Sequence, residues 1–378
     1  MNPVMIRSAL FLLVLCFSPF YLMTAYAADT SQTMMVISVR TSPSATYEHK
    51  IILGNKATLR LLKSTKQEKS EYQASLTDIY VKIVQAGKEK HFRMEESGSL
   101  WNEIEYNRLL FTRKGTEQIL KYADELRAKH YGMIMPWSEV QQRLPRRSVF
   151  SIIDLEKGLT FRVQRRAGSK HADVQPLTKQ DTQTMKEIYN NQWSWDRKAI
   201  IVVTDRNRIA ASMNGMPHGG DGIPDNGFSG HFCVHFLGSS THRSKNPDLF
   251  HQLMVHTAAG KRDPFLGNAS PDMLSDIFIG ALTQRDYELF KHVSKGLPPD
   301  TANPFLKELE NKTNFRLNKY KVKNANKYRE LSLSAEIKRT VTVKRKSQTE
   351  KTITFRFMVI RESVYSPWKI RDVKTDSC

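Results

Sequence analysis

Residues 329–343, RELSLSAEIKRTVTV, and residues 352–362, TITFRFMVIRE, alternate polar and apolar side chains for most of their length. A period of two fits a half-buried strand and excludes an amphipathic helix, whose apolar groups must recur every three or four residues. Joined through the basic stretch KRKSQTEK, the two segments read as an antiparallel hairpin, with NFRLNKYKV before it and SPWKIRDV after it as further strands. Helices precede this sheet. Ser270 stands as an N-cap with Pro271 at the first helical position, Met273, Leu274, Ile277, Phe278 and Ala281 form one apolar stripe, and QRDYELFKHV continues or restarts the helix.

The same alternation recurs earlier in the chain. MMVISVR, HKIILGN, ATLRLL and LTDIYVKIVQAGKEKHFRM read as antiparallel strands, followed by a helix over about 116–131 with Thr116 as N-cap and Gly132 as its stop. RLPRRS at 143–148 marks a boundary, after which VFSIIDLEKGLTFRVQRR is a hairpin turning at Glu156-Lys157-Gly158. Thr178 and Asp181 form a capping-box pair at the next helix, and AIIVV with RIAASM forms a second hairpin that runs into Pro217-His218-Gly219. The expected organisation is a mixed fold. An α+β accessory domain (29–147) and an α+β C-terminal domain (270–378) flank a β-rich sandwich or barrel-like domain (148–265).

The first 28 residues carry Arg7, an apolar run from Ala9 to Met23 and then Ala25-Tyr26-Ala27, the pattern of an export signal with its cleavage site. No later apolar stretch reaches spanning length. Beyond that signal only Cys233 and Cys378 remain, too few for a disulfide framework, so the apolar cores must carry stability. Lys and Arg number 58 against 38 Asp and Glu, a net charge of +20. In an exported protein this balance points away from nucleic acid and toward anionic polymer outside the cytoplasmic membrane, in secreted or wall-associated form. One function class this allows is a non-catalytic wall-binding module, whose basic flanks grip polymer around a central scaffold.

Seven of the eleven histidines fall between His171 and His256, and His218, His231, His235 and His242 crowd round Cys233 in MPHGG…SGHFCVHFLGSSTH. Three chemistries fit. A cysteine nucleophile needs a neighbouring imidazole to favour its thiolate, and on a strand His231, Cys233 and His235 share one face. Alternatively a catalytic zinc would draw on His171, Asp173, His218 and His231, with Cys233 available to complete the set; His231-x-x-x-His235 would converge if it lay on a helix. The third reading is a buried thiol packed as a small hydrophobe in a core strand. Among secondary features, Trp193 and Trp195 in WSWDRK suit either core or a glycan-stacking platform, and His251 and His256 read as exposed histidines on a helix after Pro247.

MPHGG, followed 15 positions after its histidine by the cysteine of SGHFCVHF, resembles the L,D-transpeptidase catalytic domain. That family pairs a His-Gly step with a Ser-His-Gly-Cys-hydrophobic-Arg run. The resemblance implies a β-sandwich, acyl transfer on peptidoglycan stem peptides and no cofactor, with Cys233 as nucleophile, His218 as general base and His231 beside them. Gly219, Ser229 and His235 would then fall on the substrate side. The chain departs from the pattern at Gly230 for the serine, Phe232 for the glycine and His235 for the arginine. Phe232 takes only negative φ with ease, and losing the arginine removes a fixed positive charge for a substrate carboxylate. The helices and curved sheet of the C-terminal 105 or so residues resemble the NTF2-like or cystatin-like α+β class, which implies binding or homodimerisation through that domain.

Overall fold

The computed structural model describes residues 33–377 apart from 64, 70–75, 221, 242–245, 312, 319–330 and 347. The expected export signal, His242 and Cys378 lie outside the described residues. The chain is a mixed α/β protein with two antiparallel sheets flanking a closed barrel. Among the described residues no helix is long and apolar enough to cross a membrane.

The first sheet is built from β1 (Met34–Val39), β2 (His49–Leu53), β3 (Lys66–Lys69), β4 (Leu76–Gln85), β5 (Lys88–Glu95), β6 (Leu100–Asn102) and β7 (Asn107–Leu110), in the order β2-β1-β4-β5-β6-β7-β3. The alternating residues Met35, Ile37, Val39, Ile79, Val81 and Ile83 face inward, in one core with Ile119, Ala123 and Leu126 of helix α2 (Arg113–His130). Two expectations change here. ATLRLL lies in helix α1 (Asn55–Leu62), because Thr58 and Leu61, three apart, bury one face and Thr58 Oγ1 ties the first turn to Leu53 O. The N-cap of α2 is Thr112 rather than Thr116: its side chain accepts from Gly115 N, which places Thr116 inside the helix.

The barrel comprises β8 (Val149–Asp154), β9 (Thr160–Ala167), β10 (Ala172–Pro176), β11 (Lys198–Val203), β12 (Arg208–Met213) and β13 (Phe232–His235). Its strands run β10-β13-β12-β11-β8-β9 and close on themselves through antiparallel pairs, which leaves no exposed sheet edge. Inside are the alternate residues of each strand, among them Phe150, Ile152, Phe161, Val163, Val174, Ile200, Val202, Phe232 and Val234. Helices α3 (Trp137–Arg143) and α4 (Lys179–Ile188) add Trp137, Val140, Met185 and Ile188 to this core, so α3 packs with the barrel although it precedes the boundary read at RLPRRS. The capping box at Thr178 and Asp181 forms as read.

Alternation then decides the site. With Phe232 and Val234 inside, Cys233 and His235 must face outward, and their partners across the ladders, Asp173 on β10 and Ser212 on β12, face the same way. Helix α5 (Leu249–Ala258) lies over this outer face against β11, β12 and β13. It also sends Leu253 and Met254 into the C-terminal core and Ala258 into the N-terminal one.

The C-terminal core sits between helices and a four-stranded sheet. The helices are α6 (Arg262–Gly267), α7 (Pro271–Gln284), α8 (Tyr287–Val293) and α9 (Pro299–Glu310). The strands β14 (Asn314–Leu317), β15 (Ser334–Lys344), β16 (Lys351–Ile360) and β17 (Lys369–Ser377) pair in chain order. Phe278 of α7 packs edge-on against Phe305 and Phe357. The inward row of β15 includes a charge, Arg339, which is buried and bonded to Asp272 and Asp276 of α7 at 2.7 Å each.

Candidate active site

Cys233 Sγ lies 3.2 Å from His218 Nε2. His218 Nδ1 lies 2.8 Å from Met216 O, and a carbonyl can only accept, so the ring proton sits on Nδ1 and the lone pair of Nε2 faces the sulfur. Backbone pairing delivers the imidazole: His218 and His231 exchange both hydrogen bonds, N to O, at 3.0 and 2.8 Å. That close approach needs glycine. Gly230 has φ +78°, and a Cβ there would lie 2.3 Å from His218 O; Gly219 has φ +72°, and a Cβ there would lie 2.4 Å from the His231 ring. Phe232, which departs from the motif glycine, causes no conflict: it is an ordinary strand residue with its ring in the barrel core against Phe161 and Phe228.

His231 stands edge-on to His218 at 4.6 Å between ring centroids, with Nε2 3.8 Å from Asp173 Oδ1. Burial lowers its pKa, partly offset by the Asp173 carboxylate. Gly219 and Ser229 are exposed at this surface, and Trp195, 52 % exposed, places its ring centroid 5.1 Å from that of His218. Trp193 instead packs edge-on against Phe228.

Below this surface lies a column of imidazoles. His235, expected on the substrate side, is only 1 % exposed and stacks between His171 at 4.5 Å and His251 at 3.7 Å. It therefore cannot take the place of a substrate-facing arginine. His251, expected to be exposed on its helix, is 3 % exposed, because α5 turns that residue onto the outer face of the barrel, where Nδ1 meets Ser212 Oγ at 2.8 Å. His235 Nδ1 meets Ser239 Oγ at 3.0 Å, while His171 places Nδ1 2.8 Å from Ser240 O and Nε2 3.0 Å from Asp173 Oδ1. Burial, as the leading cause, drives His235 and His251 well below the ordinary imidazole range.

The segment from Phe232 to His235 is a strand, as its aromatic and β-branched residues suggest, so His231 and His235 do not converge as i, i+4 helical ligands. The atoms that do gather within 4.8 Å of one another, one from each residue, belong to His171, Cys233 and His235. One reading made from sequence does change: the thiol pKa is not lowered. Burial, followed by the Asp173 carboxylate, pushes Cys233 up to about 12, so at rest it is a neutral thiol.

One polar neighbour was not singled out from sequence. Asn214, directly after β12 and 4 % exposed, hydrogen-bonds Cys233 through its side chain, which lowers the thiol pKa and so identifies the carboxamide as the donor. Its Oδ1 is buried and has no hydrogen-bond partner among the described residues. Its position at the end of an apolar strand, just before the His-Gly loop, was the available signal.

This arrangement can transfer a proton from Sγ to Nε2 as the sulfur attacks an electrophile, with His218 held in place by Met216 O and by the His231 backbone. No protein-family model matches the chain, and no curated protein matches it.

Proposed function

We propose that the barrel is a cysteine acyl-transfer domain of an exported cell-envelope protein acting on peptidoglycan stem peptides. The observation that carries this reading is the 3.2 Å contact between Cys233 Sγ and a His218 Nε2 whose tautomer is set by Met216 O. Sγ attacks a peptide carbonyl carbon as His218 Nε2 takes the thiol proton, and the C–N bond then breaks as Nε2 returns that proton to the leaving amine. An amine or water attacks the resulting thioester, gives its proton to Nε2, and the C–S bond breaks with the sulfur reprotonated. The Asn214 amide, already directed at the sulfur, lies where it can follow the charge onto the oxyanion, and the vacant Oδ1 can accept an N–H from the peptide.

The raised thiol pKa is compatible with this order of events, because the imidazole removes the proton during attack rather than beforehand. Trp195, Gly219 and Ser229 would border the peptide. The net charge of +20 suits an anionic wall around the substrate, and the basic β15–β16 hairpin would face it. The C-terminal helices on a four-stranded sheet would be an NTF2-like module, a place for a second copy to pair. A second reading is favoured by one observation, the 4 % exposure of Cys233: a non-catalytic wall-binding scaffold in which the thiol is structural.

The test is incubation of the purified chain with a stem tetrapeptide and an amine acceptor, with products read by mass spectrometry. Exchange of the terminal residue, absent with Cys233→Ala, is expected. Wall binding equal in both proteins with no exchanged product favours the scaffold.

A further inference from the structure

The outer face of β10 and β13 collects more ligating chemistry than a Cys-His pair uses. His171 and His235 are each 1 % exposed and Cys233 4 %, and their donor atoms lie within 4.8 Å of one another. The Nδ1 atoms of the two rings meet Ser240 O and Ser239 Oγ, at 2.8 and 3.0 Å. Such outer partners are what fix the tautomer of a metal-bound histidine. Asp173 Oδ1 lies 3.0 Å from His171 Nε2, outside the trio that gathers within 4.8 Å, and would move in as a fourth donor.

We propose that His171, Cys233 and His235, with Asp173 as fourth donor, form a buried site for a soft divalent cation, Zn2+, that competes with His218 for the same sulfur. Thiolate and imidazole donors select such an ion over magnesium or calcium. Bonds of about 2.0–2.1 Å to nitrogen and about 2.3 Å to sulfur place tetrahedral donors roughly 3.3–3.6 Å apart, so the side chains need to close by about an ångström. As the metal–sulfur bond forms, the thiol proton leaves to solvent, and the sulfur turns from His218 toward the imidazole column. The ion therefore silences the nucleophile while held. His218 and His231, which the sequence offered as zinc ligands, are outside this set.

The experiment is titration of the chelator-treated full chain with Co2+, followed by near-ultraviolet absorption and by displacement with Zn2+. One Co2+ per chain is expected, with a thiolate-to-cobalt charge-transfer band that disappears in Cys233→Ser. His235→Gln should weaken binding at least about 100-fold, the scale on which metal sites respond to altered ligation. His218→Ala should keep the band. Circular dichroism on each variant separates lost binding from lost fold, and the unmodified chain alone is decisive. No bound Co2+, bound Co2+ without the thiolate band, or a band that survives Cys233→Ser overturns the proposal. The site does not depend on the acyl-transfer reading: a chain that shows the cobalt band but never exchanges a stem peptide would keep the metal site and lose the enzyme.

Discussion

Gly230→Ala tests how tightly the backbone holds the candidate base. The new Cβ would lie 2.3 Å from His218 O and 2.8 Å from Gly219 O, and both contacts are backbone, so the paired segments must part by at least about 0.7 Å. The left-handed conformation at φ +78° adds about 1–2 kcal/mol for a residue with a Cβ. Loss of the two His218–His231 backbone bonds adds about 1 kcal/mol each, for a total near 3–4 kcal/mol. Catalysis should suffer more than stability. Misplacement of a catalytic group by about an ångström can cost on the order of 100-fold. The assay is acylation of Cys233 by an activated peptidyl ester, followed by intact mass, together with thermal unfolding. Gly220→Ala is the control: no atom lies within 4 Å of its added Cβ, and it should behave as the parent. Equal acylation rates for Gly230→Ala and the parent would refute the claim that this two-residue bridge positions His218.

Asn214→Leu should slow acylation on the order of 100-fold, the scale for loss of one oxyanion donor, and Asn214→Asp should slow it through charge repulsion; an unchanged rate would leave Asn214 a packing residue. Acid should weaken the N-terminal unit. Burial, followed by the nearby His49, lowers His130 to about 4, and the two Nδ1 atoms stand 3.2 Å apart, so they share one proton. Because the unfolded chain binds a proton near pH 6.5 and the folded chain does not until about 4, the His130 contribution is complete above pH 6.5 and lost as pH falls toward 4. Urea unfolding at pH 7.5 and 4.5 should differ by at least about 2–3 kcal/mol, a share that His130→Gln reduces; stability that is flat or rises on acidification would contradict it.

The features of this fold legible in the sequence were those with local causes. Thr178 and Asp181 cap α4, Ser270 and Pro271 open α7, and the period-two runs became β4, β15 and β16, because capping and alternation act within a few residues. ATLRLL read as a strand because six residues of mixed polarity support either period; the bond from Thr58 to Leu53 O that starts α1 depends on how β2 ends. Closure of the barrel was not legible, since it depends on β9 meeting β10 and β10 meeting β13 about 60 residues later. The site divides in the same way. The shared face of Cys233 and His235 followed from strand geometry, but which side α5 would cover did not, and that decision stacks His251 on His235 and buries it against Ser212.

The central claim, that His218 is the base for a Cys233 nucleophile, meets its most direct test in single-turnover acylation of the metal-free chain, parent against His218→Ala, with the modified residue located by peptide mass spectrometry. The account predicts one acyl group on Cys233 in the parent and a rate at least about 100-fold lower in a folded His218→Ala, the usual range for loss of a general base. Equal rates in the two proteins, or acylation at a residue other than Cys233, would contradict it.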